Sequence, residues 1–160
     1  MTATLIKANL GFPRIGRQRE LKWALEDHWR GDLDADGLLA VAATLRAQHW
    51  ALQAERGIQR IPSGDFTLYD HVLDTAVTLG AIPERFGPPF NLADGSSASL
   101  DAYFTMARGG HGIPALELTK WFDTNYHFLV PELTAHQRFY YASHSTRAHF
   151  LEAQRSGIVT

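Results

Sequence analysis

Three cations open the first predicted helix of the chain. Arg17, Arg19 and Lys22 follow a segment rich in glycine and proline. Arg19 and Lys22 are three residues apart and so share one helix face. Because the amino end of a helix is electropositive, cations are unfavourable there unless a bound anion offsets them, and a phosphate or several carboxylates would suit. The alternative is a solvated basic helix end, with Glu20 and Glu26 as partners of the cations.

A further cation lies in an apolar and aromatic stretch. Lys120 follows Leu118 and precedes Trp121 and Phe122. Burying its ammonium without a partner would be costly, so it must reach either water or an anion. Reaching the surface along its own alkyl chain is one interpretation. The other makes Lys120 a second contact for the same anionic ligand.

Other catalytic or metal-binding patterns are not found. The chain has eight histidines and no cysteine, and His144 and His149 are five residues apart, off the spacing of a zinc-binding helix. No serine-hydrolase elbow or dinucleotide-binding glycine motif occurs. Asp65, Asp70, Asp123 and His127 could converge at loop ends, but the prediction for each Asp is a helix cap or a turn residue. We therefore expect neither a metal site nor a catalytic residue among these groups.

Composition limits the class of protein. The 160 residues are 45% hydrophobic and 20% charged, which is typical of one globular domain. A formal net charge of -2 argues against nucleic acid as a partner. No segment approaches the ~20 apolar residues of a membrane helix, and the start lacks the apolar core of a signal peptide. The expected location is the cytoplasm, with no membrane partner.

Helices alternate with short strand candidates, which predicts an α/β fold. Strands are predicted at 5–10, 58–61, 116–131 (with a turn), 139–143 and from 158 onward. Helices are predicted at about 19–30, from a cap at Asp34 or Asp36 to about 56, at about 68–79 with Asp65 or Thr67 as cap, at 100–106, and at 146–155 with Ser145 as cap. Residues 82–99 are predicted to be an exposed, mobile loop. A closed (β/α)₈ barrel takes roughly 200–250 residues, so any barrel would be incomplete here.

Five short blocks of sequence match those of a known protein family, in the same order. They are Gly-Phe-Pro-Arg-Ile-Gly at 11–16, Arg-Glu-Leu-Lys at 19–22, residues 61–65 with Tyr69-Asp70, Met-Ala-Arg at 106–108, and Leu-Thr-Lys-Trp-Phe-Asp-Thr-Asn-Tyr-His at 118–127. Together they resemble cobalamin-independent methionine synthase, the 5-methyltetrahydropteroyltriglutamate–homocysteine methyltransferase family.

The resemblance implies a fold, a reaction and a binding site. The fold is the N-terminal part of a (β/α)₈ TIM-type barrel, incomplete in this chain and helix-rich, with residues 1–160 in the first, folate-tail-binding barrel. The reaction is methyl transfer from 5-methyltetrahydrofolate polyglutamate to homocysteine in methionine biosynthesis. The substrate-binding residues implied are Gln18, Arg19, Glu20, Leu21, Lys22, Lys120 and Asn125.

The family's zinc ion activates the homocysteine thiol and belongs to a second barrel, which is expected to be missing here. The resemblance therefore implies no catalytic residue and no metal ligand in this chain, which alone is expected to be inactive. The alternative function is an inactive module that serves protein–protein interaction or folate-tail binding only. An incomplete parallel sheet would leave unpaired edges that favour association.

Overall fold

The computed structural model describes residues 5–110 and 112–158, which divide between two compact units. The first unit takes its residues from Met1–Leu68 and Thr146–Thr160, and the second is Tyr69–Ser145. In chain order the helices are α1 (Glu20–Arg30), α2 (Ala35–Glu55), α3 (His71–Thr78), α4 (Ser97–Arg108) and α5 (Ser145–Arg155). The strands are β1 (Leu118–Lys120) and β2 (His127–Leu129). Helices with a small sheet confirm an α/β fold.

Local signals define α1 and α2. In α1, Leu21, Ala24 and Leu25 are buried on one face, and Gly31 ends the helix in the left-handed conformation with φ 84. Asp34 caps α2 by accepting a 2.8 Å hydrogen bond from the Gly37 N–H. Both helix bounds lie within one or two residues of those predicted, and Asp34 is confirmed as the cap.

The predicted strands at 5–10 and 58–61 meet at a single parallel bridge, between Ala8 and Arg60. The Lys7 carbonyl accepts hydrogen bonds from the Gln59 and Arg60 N–H groups at 2.9 and 3.1 Å. Leu5 is 90% exposed and Leu10 101%, so the prediction of a buried strand at 5–10 is wrong. A strand is buried only where neighbouring elements cover both of its faces, and one bridge does not supply that cover.

The C-terminal helix α5 belongs to the first unit and packs by an apolar and a charged contact. Ala153 lies in a core cluster with Trp50 and Ile61. The Arg46 guanidinium donates to the Glu152 carboxylate at 3.0 Å through Nε, and its Nη2 lies 2.8 Å from the same oxygen. The predicted helix 146–155 is confirmed, with Ser145 as its first residue. The predicted strand from 158 onward falls mostly on residues 159 and 160, which lie outside the described residues.

In the second unit, two predictions of helix bounds are wrong. Helix α3 begins at His71 because Asp70, and not Asp65 or Thr67, caps it. Helix α4 begins at Ser97 because the Ser96 hydroxyl accepts from the Ser99 N–H at 3.1 Å. The segment 82–99, predicted to be an exposed loop, contains two 3₁₀ turns, and Phe86 within it is 8% exposed.

The strands β1 and β2 form an antiparallel hairpin, with Leu118 opposite Leu129 and Lys120 opposite His127. This confirms the strand and turn predicted at 116–131. The strand predicted at 139–143 is wrong. There, the N–H groups of Tyr140 and Ala142 donate to carbonyls at the end of α3, at 3.1 and 2.9 Å, and therefore not to a neighbouring strand. No helix within the described ranges combines the length and the apolar character that a membrane span requires.

The core of the first unit can be tested by a cavity mutation in α2. Leu38 is 0% exposed, so Leu38→Ala should lower the free energy of unfolding by about 2–5 kcal/mol. Leu52→Ala in the same helix is the control, because Leu52 is 39% exposed, and should cost less than about 1 kcal/mol. Urea unfolding measures both, and equal losses would contradict the assignment of the buried face.

Acid should destabilise the protein through His149. Burial, aided by the charge of Arg46, lowers the pKa of His149 from 6.5 to about 4. Between these values the unfolded chain binds the proton more readily than the folded one. The His149 contribution to stability is therefore complete above pH 6.5 and is lost as the pH falls toward 4. His149→Gln should flatten the dependence of the urea midpoint on pH in this window, whereas His136→Gln, at an exposed position, should not.

Candidate functional site

The predicted cationic cluster lies on the turn that opens α1, residues 15–22 (the α1 turn). The Arg19 N–H donates to the Gly16 carbonyl at 3.3 Å, and the Leu21 N–H donates to the Ile15 carbonyl at 3.1 Å. Gly16 has φ 86, and a Cβ there would lie 2.9 Å from Leu45 Cδ2 as well as against the Glu20 carboxylate, so a side chain does not fit. Glycine is therefore needed to close this turn.

Arg19 itself is strained. It has φ 66 and ψ 33, the left-handed conformation, and no side chain caps the helix at this position. The Glu20 carboxylate instead accepts from the Gln18 N–H at 2.9 Å. A non-glycine residue in this conformation costs of order 1–3 kcal/mol, and such residues cluster at functional sites. The strain at Arg19 is therefore compatible with a binding role.

The cations of the turn differ in their partners. Lys22 Nζ lies 3.3 Å from the Glu26 carboxylate and 4.2 Å from the centroid of the Trp23 ring. Arg17 and Arg19 are exposed, and neither takes part in a salt bridge with the described residues. Lys22 thus fits the interpretation as a solvated basic helix end, with Glu26 as its partner. The two arginines could still bind an anionic ligand. The Leu21 side chain is 0% exposed and packs in the core.

The loop before the α1 turn is held by residues 65–68. The Phe12 N–H donates to the Asp65 carboxylate at 2.7 Å. Arg14 Nη1 donates to the carbonyls of Thr67 and Leu68, each at 3.1 Å. The sequence carries no signal for these anchors: it predicts Asp65 as a helix cap or turn residue, and it offers nothing on Arg14 beyond its place in a block that resembles the family.

In the second unit, Lys120 ends β1, and Asn125 lies in the tip of the β1–β2 hairpin, residues 121–126 (the hairpin tip). Both are exposed, and Lys120 makes no salt bridge with the described residues. The Trp121 N–H donates to the Tyr126 carbonyl at 2.8 Å and closes the base of the tip. Phe122 is 81% exposed and has φ 49, so this turn also contains a strained non-glycine residue.

A buried carboxylate lies behind the hairpin. Asp70 is 3% exposed, and its Oδ2 accepts from the Leu73 N–H at 3.0 Å and from the Leu129 N–H at 3.2 Å. The Tyr126 hydroxyl donates to Oδ1 of the same carboxylate. This confirms the broader prediction that Asp70 acts as a helix cap or turn residue. Its bonds to residues 126 and 129 had no signal in the sequence.

Tyr103 binds the backbone beside this carboxylate from the interior. Its side chain is 0% exposed, and its hydroxyl accepts from the Tyr69 N–H at 3.2 Å and donates to the Asp74 carboxylate. Burial, together with the Asp74 charge, raises the pKa of Tyr103 well above its usual value. The phenol therefore stays neutral and keeps its hydrogen-bond donor.

Two grooves of the second unit lie apart from the predicted residues. An apolar groove of ≈ 300 Å³ is lined by residues of α3 with Pro131, Leu133 and Phe139. A more polar groove of ≈ 720 Å³ contains the Arg85–Glu132 ion pair, which lowers the pKa of Glu132. None of the residues implied to bind substrate lines either groove.

A zinc ion does not fit the donor groups of the described residues. Within residues 5–110 and 112–158, no cluster of three or more His, Asp or Glu side chains could hold a metal ion. The sequence contains no cysteine to add a thiolate. A zinc ion would therefore need ligands from outside the described residues.

Residues 6–160 match the sequence model of a protein family, which is described as the cobalamin-independent synthase, N-terminal domain. The chain belongs to the cobalamin-independent methionine synthase family. This confirms the family that the sequence blocks indicated. Of the residues that the family resemblance singles out, Gln18–Lys22 lie in the first unit, and Lys120 and Asn125 lie in the second. That they meet in one site stays a prediction.

Three relatives share the name 5-methyltetrahydropteroyltriglutamate–homocysteine methyltransferase. The protein of Chelativorans sp. (strain BNC1) is 54% identical over 166 residues, covering 96% of this chain and 21% of the relative. That of Caulobacter vibrioides is 50% identical over 179 residues, covering 100% and 22%. That of Kali turgidum is 49% identical over 151 residues, covering 94% and 19%. The chain spans about a fifth of the length of these relatives.

The Asp70 carboxylate should be the most important polar group of the second unit. Asp70→Ala removes three hydrogen bonds to a buried charge and should lower the free energy of unfolding by about 3–5 kcal/mol. Asp34→Ala removes a similar helix cap at an exposed position and should cost about 1 kcal/mol. Urea unfolding compares the two variants, and equal costs would show that Asp70 acts only as a cap.

Proposed function

We propose that this chain supplies the folate-binding part of a methionine synthase, which transfers the methyl group of 5-methyltetrahydropteroyltriglutamate to homocysteine. The observation that carries the proposal is the identity of about half of the aligned residues to relatives named for this reaction. The homocysteine contacts and the zinc ion belong, in this proposal, to parts of the relatives that the chain does not match. The chain alone would then bind folate without catalysing methyl transfer.

In this proposal, the folate tail is the anionic partner of the exposed cations. A triglutamate tail is a string of carboxylates, and arginine and lysine bind carboxylates through charge-assisted hydrogen bonds. Arg19, Lys22 and Lys120 would bind these carboxylates, and Asn125 would donate its amide N–H to the ligand. Gln18 and Glu20 would shape the α1 turn, and the buried Leu21 would hold it against the core. The exposed, unpaired state of Arg19 and Lys120 among the described residues supports these roles.

The ion pair between Lys22 and Glu26 does not oppose this assignment. The two side chains are 39% and 35% exposed and four residues apart in one helix. Such pairs are worth only about 0.3–0.5 kcal/mol. A tail carboxylate that also binds a second cation can therefore replace Glu26 as the partner of Lys22 at little cost in free energy.

We also propose that the chain forms the beginning of a (β/α)₈ barrel. The parallel bridge between Ala8 and Arg60 supports this, because α1 and α2 lie in the connection between the two bridged segments. A parallel pair joined through helices is the repeating unit of such barrels. The alternative of an interaction module stays a prediction.

Removing one lysine should weaken the tail contact selectively. Lys120→Ala or Lys22→Ala should weaken binding of the triglutamate form about tenfold, the loss of one charge-assisted hydrogen bond. Binding of the monoglutamate form should change less than about twofold, because it lacks the outer carboxylates. Isothermal titration of the purified chain with each ligand measures the two constants.

The matched control is Lys7→Ala, which removes the remaining lysine of the sequence at an exposed position outside the proposed site. It should leave both affinities unchanged. Equal losses for the triglutamate and monoglutamate forms in the Lys120 and Lys22 variants would contradict the tail assignment.

A further inference from the structure

Tyr126 joins the hairpin tip to the interior of the second unit. Its carbonyl accepts the Trp121 N–H at 2.8 Å, at the base of the tip and directly after Lys120. Its own neighbour in the chain is Asn125. Its hydroxyl donates to the buried Asp70 carboxylate. One residue therefore touches the backbone that carries Lys120 and Asn125 and also a fixed point of the core.

We propose that Tyr126 is a positioning residue, which, through Asp70, holds Lys120 and Asn125 in the geometry that binds the folate tail. This inference rests on the proposed function, because it assumes that those two side chains contact the ligand. Tyr126 itself needs no contact with the ligand for this role.

The anchor is rigid because Asp70 is bonded on several sides. Its Oδ2 accepts from the Leu129 N–H of β2 at 3.2 Å and from the Leu73 N–H of α3 at 3.0 Å. Tyr126, directly before β2, and Leu129, its last residue, thus bond to the same carboxylate. The Tyr103 hydroxyl of α4 accepts from the N–H of Tyr69, the residue before Asp70, and donates to Asp74 of α3. The Tyr126 hydroxyl therefore bonds to a group that cannot shift alone.

The hairpin needs such an anchor. Each strand has three residues, and a two-stranded hairpin of this size is marginally stable by itself. The tip also contains Phe122 at φ 49, a conformation that the chain would leave if it were free to do so. Binding would then have to order the tip, and affinity falls by that cost. If the tip is already anchored before the ligand binds, this ordering cost is avoided.

The test is removal of the hydroxyl alone. Tyr126→Phe keeps the ring and should weaken binding of 5-methyltetrahydropteroyltriglutamate to the purified chain about fivefold, by loss of the bond to Asp70. Tyr141→Phe is the matched control, because Tyr141 is 51% exposed and contacts His144, outside the hairpin. It should leave the affinity unchanged. Urea unfolding of both variants accompanies the titrations.

A mutant cycle separates positioning from a general structural role. When Lys120→Ala and Asn125→Ala are already present, Tyr126→Phe should have no further effect on the affinity, because nothing remains to be positioned. A fivefold loss in both backgrounds would overturn the inference. So would an unchanged affinity in Tyr126→Phe while Lys120→Ala still weakens binding, and the proposed function would then stand. An unchanged affinity in Lys120→Ala would overturn both.

Discussion

The second unit depends on a carboxylate that is withdrawn from water. Asp70 is 3% exposed, and a buried charge is tolerated only when hydrogen bonds replace its hydration. Its donors come from the first turn of α3, from β2 and from the residue before β2. One side chain therefore fixes where the helix begins and where the hairpin lies. The strands themselves, with three residues each, could not hold that arrangement.

The first unit uses the same device at its own predicted binding segment. The α1 turn follows a loop whose Phe12 N–H is bound by Asp65, and Arg14 reaches back to the carbonyls of Thr67 and Leu68. In each unit, hydrogen bonds to residues distant in sequence fix a segment within or next to a turn that contains a strained residue. Binding residues on loops gain precision in this way, because their supporting groups restrict the backbone that carries them.

The electrostatic character of the predicted site is local. The chain as a whole has a formal net charge of -2, so it does not attract polyanions through its total charge. Arg17, Arg19 and Lys120 instead present exposed cations at turns, where the ligand would meet little competition from salt bridges with described residues. Lys22 differs because Glu26 lies one helical turn away. The proposed contact with the folate tail therefore depends on these local cations and not on the total charge of the chain.

The sequence by itself determined the family and the elements that depend on neighbouring residues. Apolar spacing and local caps predicted α1, α2 and α5, with Asp34 or Asp36 at the start of α2 and Gly31 at the end of α1, because these signals act within one or two helical turns. It also located the hairpin, whose aromatic and β-branched residues favour extended backbone.

Only the tertiary structure decided the start of α3, the loss of the strand at 139–143 and the exposure of Leu5 and Leu10. It alone connected Asp70 to Tyr126. Each of these depends on which distant backbone or side-chain group lies within hydrogen-bonding or packing distance. Residue spacing carries no information on such contacts, since they are created by the path of the folded chain.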